Sequence, residues 1–250
     1  MQPHRHRYWL NNTRDEAPEQ FDQGVKTVCQ LYEQASDLYA QGTHLVSCDE
    51  KTGIQALERK HPSKPMIPGK VALDEFEYIR HGTQTLIANL EVATGQCLAP
   101  TVSQTRSEVD FAAHIAQTVD TDPEATWIFI VDQLNTHKSE SLVRLVAERC
   151  GLTEDLGVKG ESGILHTRFT RAAFLEDEVH RIRFVYIPKH TSWLNQIEIW
   201  FSILVRRLLK RSNFSSVNEL RERILTFIDY FNKTMAKPFK WTYAGRPLQT

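Results

Sequence analysis

Three acidic residues occupy positions where carboxylates can do chemistry. Asp49 follows the short apolar run His44–Cys48, and Asp132 follows the unbroken apolar run Thr126–Val131 (TWIFIV). If those runs are neighbouring strands of one sheet, the two carboxylates share its edge. Glu198 lies in a segment of helical periodicity. At about 100° per residue it falls beside the stripe of Ile197, Phe201, Val205 and Leu208. A carboxylate on such a stripe loses hydration and needs a cation or donors. Each acid also has a plainer explanation. Aspartates after strands form turns and caps, and a glutamate at a core boundary can be salt-bridged. Three converging carboxylates without a Cys/His cluster suit a hard divalent cation, Mg²⁺ or Mn²⁺, better than zinc. Two such ions about 4 Å apart can activate water and stabilise a leaving oxygen in phosphodiester cleavage.

The elements that must position these acids are legible as alternating patterns. Pro18 opens a helix to about Gln41, with Phe21, Val25, Val28 and Leu31/Tyr32 on one face. A strand ends at Asp49, Thr52-Gly53 turns, and Ile54–Glu58 returns as a second strand. Residues 59–82, rich in Pro, Gly and Lys, read as a loop. Thr83–Ala93 and Gln96–Val102 are strands around a Thr94-Gly95 turn, and Ser107-Glu108 begins a helix to Val119. TWIFIV is apolar throughout, as a strand buried on both faces must be. Lys138–Cys150 is an amphipathic helix. The glycine-rich, charged segment 151–180 holds a short helix near Arg171–Val179. Arg183–Ile187 is the last strand, Asn195–Arg211 a helix, and Ser216-x-x-Glu219 a capping box for another. This order predicts an α/β domain with a central mixed sheet flanked by helices, with functional groups at strand C-termini.

Composition narrows the class. The chain has 250 residues, 41% hydrophobic and 24% charged, enough for one large domain or two small ones. No run reaches the roughly 18 apolar residues of a membrane span, and MQPHRHRYWLNN has no apolar signal core. Cys29, Cys48, Cys97 and Cys150 form no CxxC pair, which fits a reducing cytosol. The formal charge of −1 hides an asymmetry: residues 1–180 carry 17 Lys+Arg against 27 Asp+Glu, residues 181–250 carry 13 against 4. Arg206, Arg207, Lys210 and Arg211 share the helix face opposite the apolar stripe. That face is either a solvated surface or a contact for a polyanion.

Three segments taken together, VSCDEKTGIQALER, WIFIVDQLNTHKS and IPKHTSWLNQIEIWFSILVRRLLKR, resemble the catalytic domain of DDE transposases, nearest the mariner-related branch of bacterial insertion sequences. The resemblance covers about residues 40–245. It implies a ribonuclease-H-like fold with a five-stranded mixed sheet, residues 1–41 being a linker and helix and 42–250 the catalytic domain. It implies Asp49, Asp132 and Glu198 as catalytic metal ligands, holding two Mg²⁺ or Mn²⁺ ions. Such enzymes nick DNA at transposon ends and join the freed 3′-hydroxyl to target DNA. Asn135, His137 and Asn195 occupy motif positions near the acids, where they orient a carboxylate, touch phosphate, or merely cap. The implied partner is DNA, bound by a homodimer in the bacterial cytoplasm and nucleoid, with no membrane. The chain departs from its relatives in two respects. Asp132 and Glu198 are 66 positions apart, which makes 151–180 an insertion. The chain also begins where a linker would follow a helix-turn-helix region, so that DNA-reading region is expected to be separate or lost. The alternative function is a non-catalytic DNA-binding or assembly remnant of a truncated transposase. A ribonuclease-H-like nuclease with another substrate is a further alternative, less compatible with the LNQIE motif.

Overall fold

The structure, a computed structural model, describes residues 18–73 and 75–243. The expected N-terminal linker before Pro18 and the side chain of Arg211 lie outside the described residues. The elements in order are α1 (Pro18–Ala40), β1 (Thr43–Arg59), β2 (Tyr78–Glu91), β3 (Cys97–Ser103), α2 (Glu108–Val119), β4 (Thr126–Val131), α3 (Glu140–Arg149), α4 (Arg168–Glu176), β5 (Ile182–Tyr186), α5 (Ile197–Arg207) and α6 (Val217–Thr234). The sheet order is β3-β2-β1-β4-β5. β1 pairs antiparallel with β2 and parallel with β4, and β4 pairs parallel with β5. The mixed, five-stranded sheet expected from the sequence is the one present.

Strand alternation assigns the two faces. Trp127, Phe129 and Val131 of β4 pack with Val46 and Cys48 under Phe111 and Ile115 of α2, Leu142 and Val146 of α3, and Leu175 of α4. Ile128 and Ile130 point the other way, with Leu45, onto Val25 and Val28 of α1. TWIFIV is continuous because it serves both faces. The second face is completed by α5 and α6, whose Trp200, Leu204, Leu220 and Ile224 cover Leu86 and Leu90 of β2. α1 therefore shares a core with the sheet, with no break in packing at residue 41. The segment expected as a surface insertion contributes to the core on the opposite face, under α2 and α3, where Leu165, Ala172, Phe174 and Leu175 are buried.

The expected hairpin at Thr52-Gly53 is absent. β1 runs unbroken through both residues, and its register against β2 shifts between Lys51 and Ile54. Gly53 has φ +65, so the glycine supplies a bulge in one long strand rather than a reversal between two. β2 correspondingly begins at Tyr78, within what reads as a loop. Caps follow the sequence more closely. The Ser107 hydroxyl accepts from the Asp110 amide and opens α2 in a reciprocal capping box. The Ser216 hydroxyl accepts from the Glu219 amide at 3.0 Å, but the Glu219 carboxylate reaches back to the Ser215 amide at 2.7 Å, one residue short of the expected box.

A buried acid at the far end of the sheet generates a pH dependence. Glu91 is 1% exposed, and its Oε2 lies 2.6 Å from His44 Nδ1; the imidazole stacks on Trp127 at 4.1 Å. The hydrogen bond to Glu91 raises the His44 pKa; burial opposes this, and Asp122 adds to it. A raised imidazole value means the pairing stabilises fully below about 6.5, the ordinary value, and fades as pH rises through the folded one. His44→Gln should therefore destabilise the protein most near pH 6 and progressively less in alkali, as read from urea unfolding across pH.

Candidate active site

Backbone register sets the first two acids side by side. The parallel β1–β4 ladder pairs Thr43 with Thr126 and Ser47 with Ile130. The same offset, carried two residues on, places Asp49 level with Asp132, one strand spacing of about 4.8 Å away. Asp49 lies within β1 rather than after it. Its Oδ1 accepts from the Glu50 amide at 2.7 Å. Asp132 directly follows β4, and its Oδ1 accepts from the Leu134 amide at 2.9 Å. It is thus a turn former and a sheet-edge carboxylate at once.

The third acid arrives through a buried knot. The Ser47 hydroxyl donates to Asn195 Oδ1 and accepts from the Ile197 amide at 2.9 Å. Asn195 Nδ2 donates to the Cys48 carbonyl at 3.0 Å and to Asp49 Oδ2 at 3.4 Å. Ser47 and Asn195 are both fully buried. Their bonds fix the start of α5 against β1, and Glu198 falls in its first turn. Glu198 is exposed, which corrects the expectation of a half-buried carboxylate on the apolar stripe. The buried residues are Ile197, Trp200, Phe201 and Leu204. They centre the stripe between Leu204 and Ile197, roughly 110° from Glu198. The expected cationic residues Arg206, Arg207 and Lys210 are exposed on α5 and the turn after it.

On the other face of β1, alternation sends Glu50 toward α2. The Glu50 side chain is 2% exposed, with Oε1 3.4 Å from Nε2 of the fully buried His137. His137 Nδ1 lies 2.8 Å from Asp132 Oδ1, and the ring packs on Phe111 at 4.3 Å. Burial depresses the imidazole, but the Asp132 and Glu50 carboxylates outweigh it and lift its pKa to about 9. Burial pushes the Asp132 carboxyl up; the contact with His137, the Leu134 amide and Lys138 hold it below the usual range. The sequence reading found His137 and Asn195 but missed Glu50 and Ser47. Their only sequence signal is strand alternation, Ser47 and Asp49 to one face and Glu50 to the other. Asn135 turns away from this cluster, its Oδ1 accepting from Arg168 Nη1 at 2.7 Å.

The three acids are coupled electrostatically. Burial, chiefly, raises the Asp49 carboxyl to about 7, with Asp132 and Glu198 both adding to the rise against the Glu50 amide and His137. Among the described residues no three His, Cys, Asp or Glu side chains are drawn as tightly as metal ligands. By type the donors fit a hard divalent cation: three carboxylates, no thiolate, and one imidazole committed to carboxylates on both sides.

A mixed sheet in order β3-β2-β1-β4-β5, with one acid within the central strand, one just after its parallel neighbour and a third in the first turn of α5, is a ribonuclease-H-like fold. The profile of the DDE superfamily endonucleases matches residues 44–221, and the chain belongs to that family. Among solved structures it is similar to the Mos1 mariner paired end complex with Mn, at TM-score 0.53 and 12% identity over 90% of this chain and 59% of that one. It is similar to the catalytic domain of Mos1 mariner transposase at TM-score 0.52 and 9% identity, over 90% of this chain and 85% of that one. The Mos1 strand transfer complex matches at TM-score 0.51 and 12% identity, over 90% and 58%. At these identities the likeness establishes the fold. The chain spans under three-fifths of the longer Mos1 chains. No curated protein matches it.

The raised Asp49 pKa has a stability consequence. A carboxyl held above its unfolded value opposes folding progressively as pH rises from about 4 through about 7, and fully above that. Asp49→Asn should leave stability near pH 4 almost unchanged and raise it above neutrality, by on the order of 2–4 kcal/mol at about pH 8. Paired urea melts at the two pH values check this.

Proposed function

We propose that the chain is a divalent-metal-dependent DNA-cutting and strand-joining domain, with Asp49, Asp132 and Glu198 as its metal ligands. The observation that carries this reading is the β1–β4 register, which carried two residues past Ser47 and Ile130 aligns Asp49 with Asp132, together with Asn195, bonded to Ser47 and Asp49 and three residues before Glu198. Mg²⁺ or Mn²⁺, as a pair, would polarise the attacking water and take up charge on the leaving oxygen. The Mos1 paired end complex was solved with Mn, which favours the same metal class here. In the first step a water oxygen bonds to phosphorus, the bond to the 3′ oxygen breaks, and that oxygen leaves as a hydroxyl carrying a water proton. In the second the 3′-hydroxyl attacks another phosphodiester, so one P–O bond replaces another without redox change. Asn195 orients the Asp49 carboxylate, and His137 holds Asp132 between ring and backbone.

DNA is the proposed partner, engaged as a homodimer. Structures of Mos1 with a transposon end and in a strand transfer complex support that partner class. The exposed face of Arg206, Arg207 and Lys210, with Arg211, is proposed to contact phosphates, which carry no sequence information.

Two outcomes test this. Asp132→Asn and Glu198→Gln should each cut Mn²⁺-dependent nicking of duplex DNA by more than about a thousandfold with unfolding midpoints intact, since each removes a ligand to the reacting centre. A variant nicking at the wild-type rate excludes that acid, and a wild-type chain that binds DNA without nicking it favours the assembly-remnant reading. Separately, neutralising Arg206, Arg207, Lys210 and Arg211 together should flatten the dependence of log affinity on log salt by up to roughly 0.9 per lost phosphate contact. Equal affinity for end and scrambled duplexes is expected throughout.

A further inference from the structure

The loop after Asp132 gathers cations that the α5 face does not include. The turn Asn135–Lys138 ends in Lys138, which is half-buried. The Lys138 ammonium donates to Gln133 Oε1 and lies 4.3 Å from the centre of the Tyr186 ring. Gln133 Nε2 in turn donates to the Ile187 carbonyl at 2.9 Å. This one amide therefore ties the exit of β4 to the exit of β5, two residues before the exposed Lys189. The next residue, His190, holds φ +62, a left-handed conformation uncommon outside glycine, so the backbone turns sharply at Lys189. From the third side, Arg171 Nε of α4 donates to the Lys138 carbonyl at 2.7 Å. Arg168, at the start of α4, is exposed and donates to Asn135.

We propose that Lys138, Arg168 and Lys189 form a cradle on the Asp132 flank of the site that binds the phosphodiester backbone of the DNA strand led to the acids. This rests on the reading of the chain as a DNA-cutting domain. Three separate elements converge to bring the cations together, and the partners of two of them are neutral amides and a ring rather than carboxylates. Like charges held in this way repel one another. Burial lowers the Lys138 pKa, and Arg168 and Lys189 lower it further; Glu176 and Asp132 oppose them. A phosphate entering the cradle gains from all three cations, and the Arg168 guanidinium offers the planar fork that suits it. The cradle lies beside Asp132, so it complements the acids: they repel a polyanion, and an adjacent cationic surface offsets that repulsion where the strand must approach.

The test compares wild type with Lys138→Gln/Arg168→Gln/Lys189→Gln on a short duplex of arbitrary sequence. Binding is read across a salt series without added metal, and nicking kinetics with Mn²⁺. The triple variant should lose up to roughly 0.9 in the log–log salt slope for each abolished phosphate contact. Its KM should rise several-fold, with a smaller fall in kcat. Lys138→Arg should keep the wild-type slope, because charge and not packing on Tyr186 is what the phosphate reads. Should Lys138→Gln disturb the fold, Arg168→Gln/Lys189→Gln alters only exposed side chains and should still lose slope. If wild type nicks, Asp132→Asn does not, and the triple variant keeps both slope and KM, the cradle is overturned while the proposed function stands. A wild-type chain with neither salt-dependent DNA binding nor nicking overturns both.

Discussion

Everything at the acidic edge depends on a single buried serine–asparagine contact. Ser47 sits in the middle strand and Asn195 just before α5, and each is fully buried with its polar atoms engaged by the other's element. The Ile197 amide is one of the first helical N–H groups, which lack intrahelical partners; Ser47 satisfies it from the sheet. The helix is thus seated by the strand that carries Asp49, and the chain joining Asp49 to Asn195, 146 positions on, cannot change that relation without breaking the knot. Removing either partner leaves buried donors or acceptors unpaired, at about 1–3 kcal/mol each. The same change would let α5, and Glu198 with it, drift from β1.

A second constraint concerns charge. Asp49, Asp132 and Glu198 repel one another, and burial of Asp49 adds to the cost. The fold answers from the opposite face of the sheet. His137, positively charged between Asp132 and Glu50, supplies a compensating charge that solvent cannot reach. Two carboxylates bracketing one imidazolium leave a net negative group, so the arrangement reduces repulsion at Asp132 without cancelling the potential that would attract a cation. Alternation along β1 makes this possible: consecutive residues Asp49 and Glu50 serve opposite faces.

The sequence was most informative where one local rule acted alone. TWIFIV and the Ser107 cap match their sequence patterns, because a doubly buried strand and a serine cap each have a short-range cause; at Ser216 the cap forms but the reciprocal half of the box does not. The Thr52-Gly53 turn failed because a positive-φ glycine serves a bulge as well as a reversal, and only pairing with β2 decides between them. Glu198 stands outside the buried stripe that helical periodicity alone suggests. Ile197, Phe201, Val205 and Leu208 alone centre the stripe near Phe201, whereas Trp200 and Leu204, whose burial depends on packing against β2 and α6, turn it further from Glu198. Glu50 was illegible, since its partner His137 is 87 residues away and joined to it only by the sheet.

Charge shows the same limit. Counted along the chain, residues 1–180 are strongly acidic and the C-terminal third basic, which directs attention to α5. Counted in space, Lys138 and Arg168 come from the acidic part and Lys189 from the basic part, yet the exits of β4 and β5 bring them beside Asp132. A potential falls off within about 10 Å at ordinary ionic strength, so what a polyanion meets at the acids is this local set and not the average of a segment. The topology that aligns Asp132, just after β4, with Asp49 in the neighbouring β1 also places the loops leaving β4 and β5 next to Asp132. Cations on those loops therefore meet a bound strand at the acids themselves, whereas cations on the flank of α5 meet it along its approach.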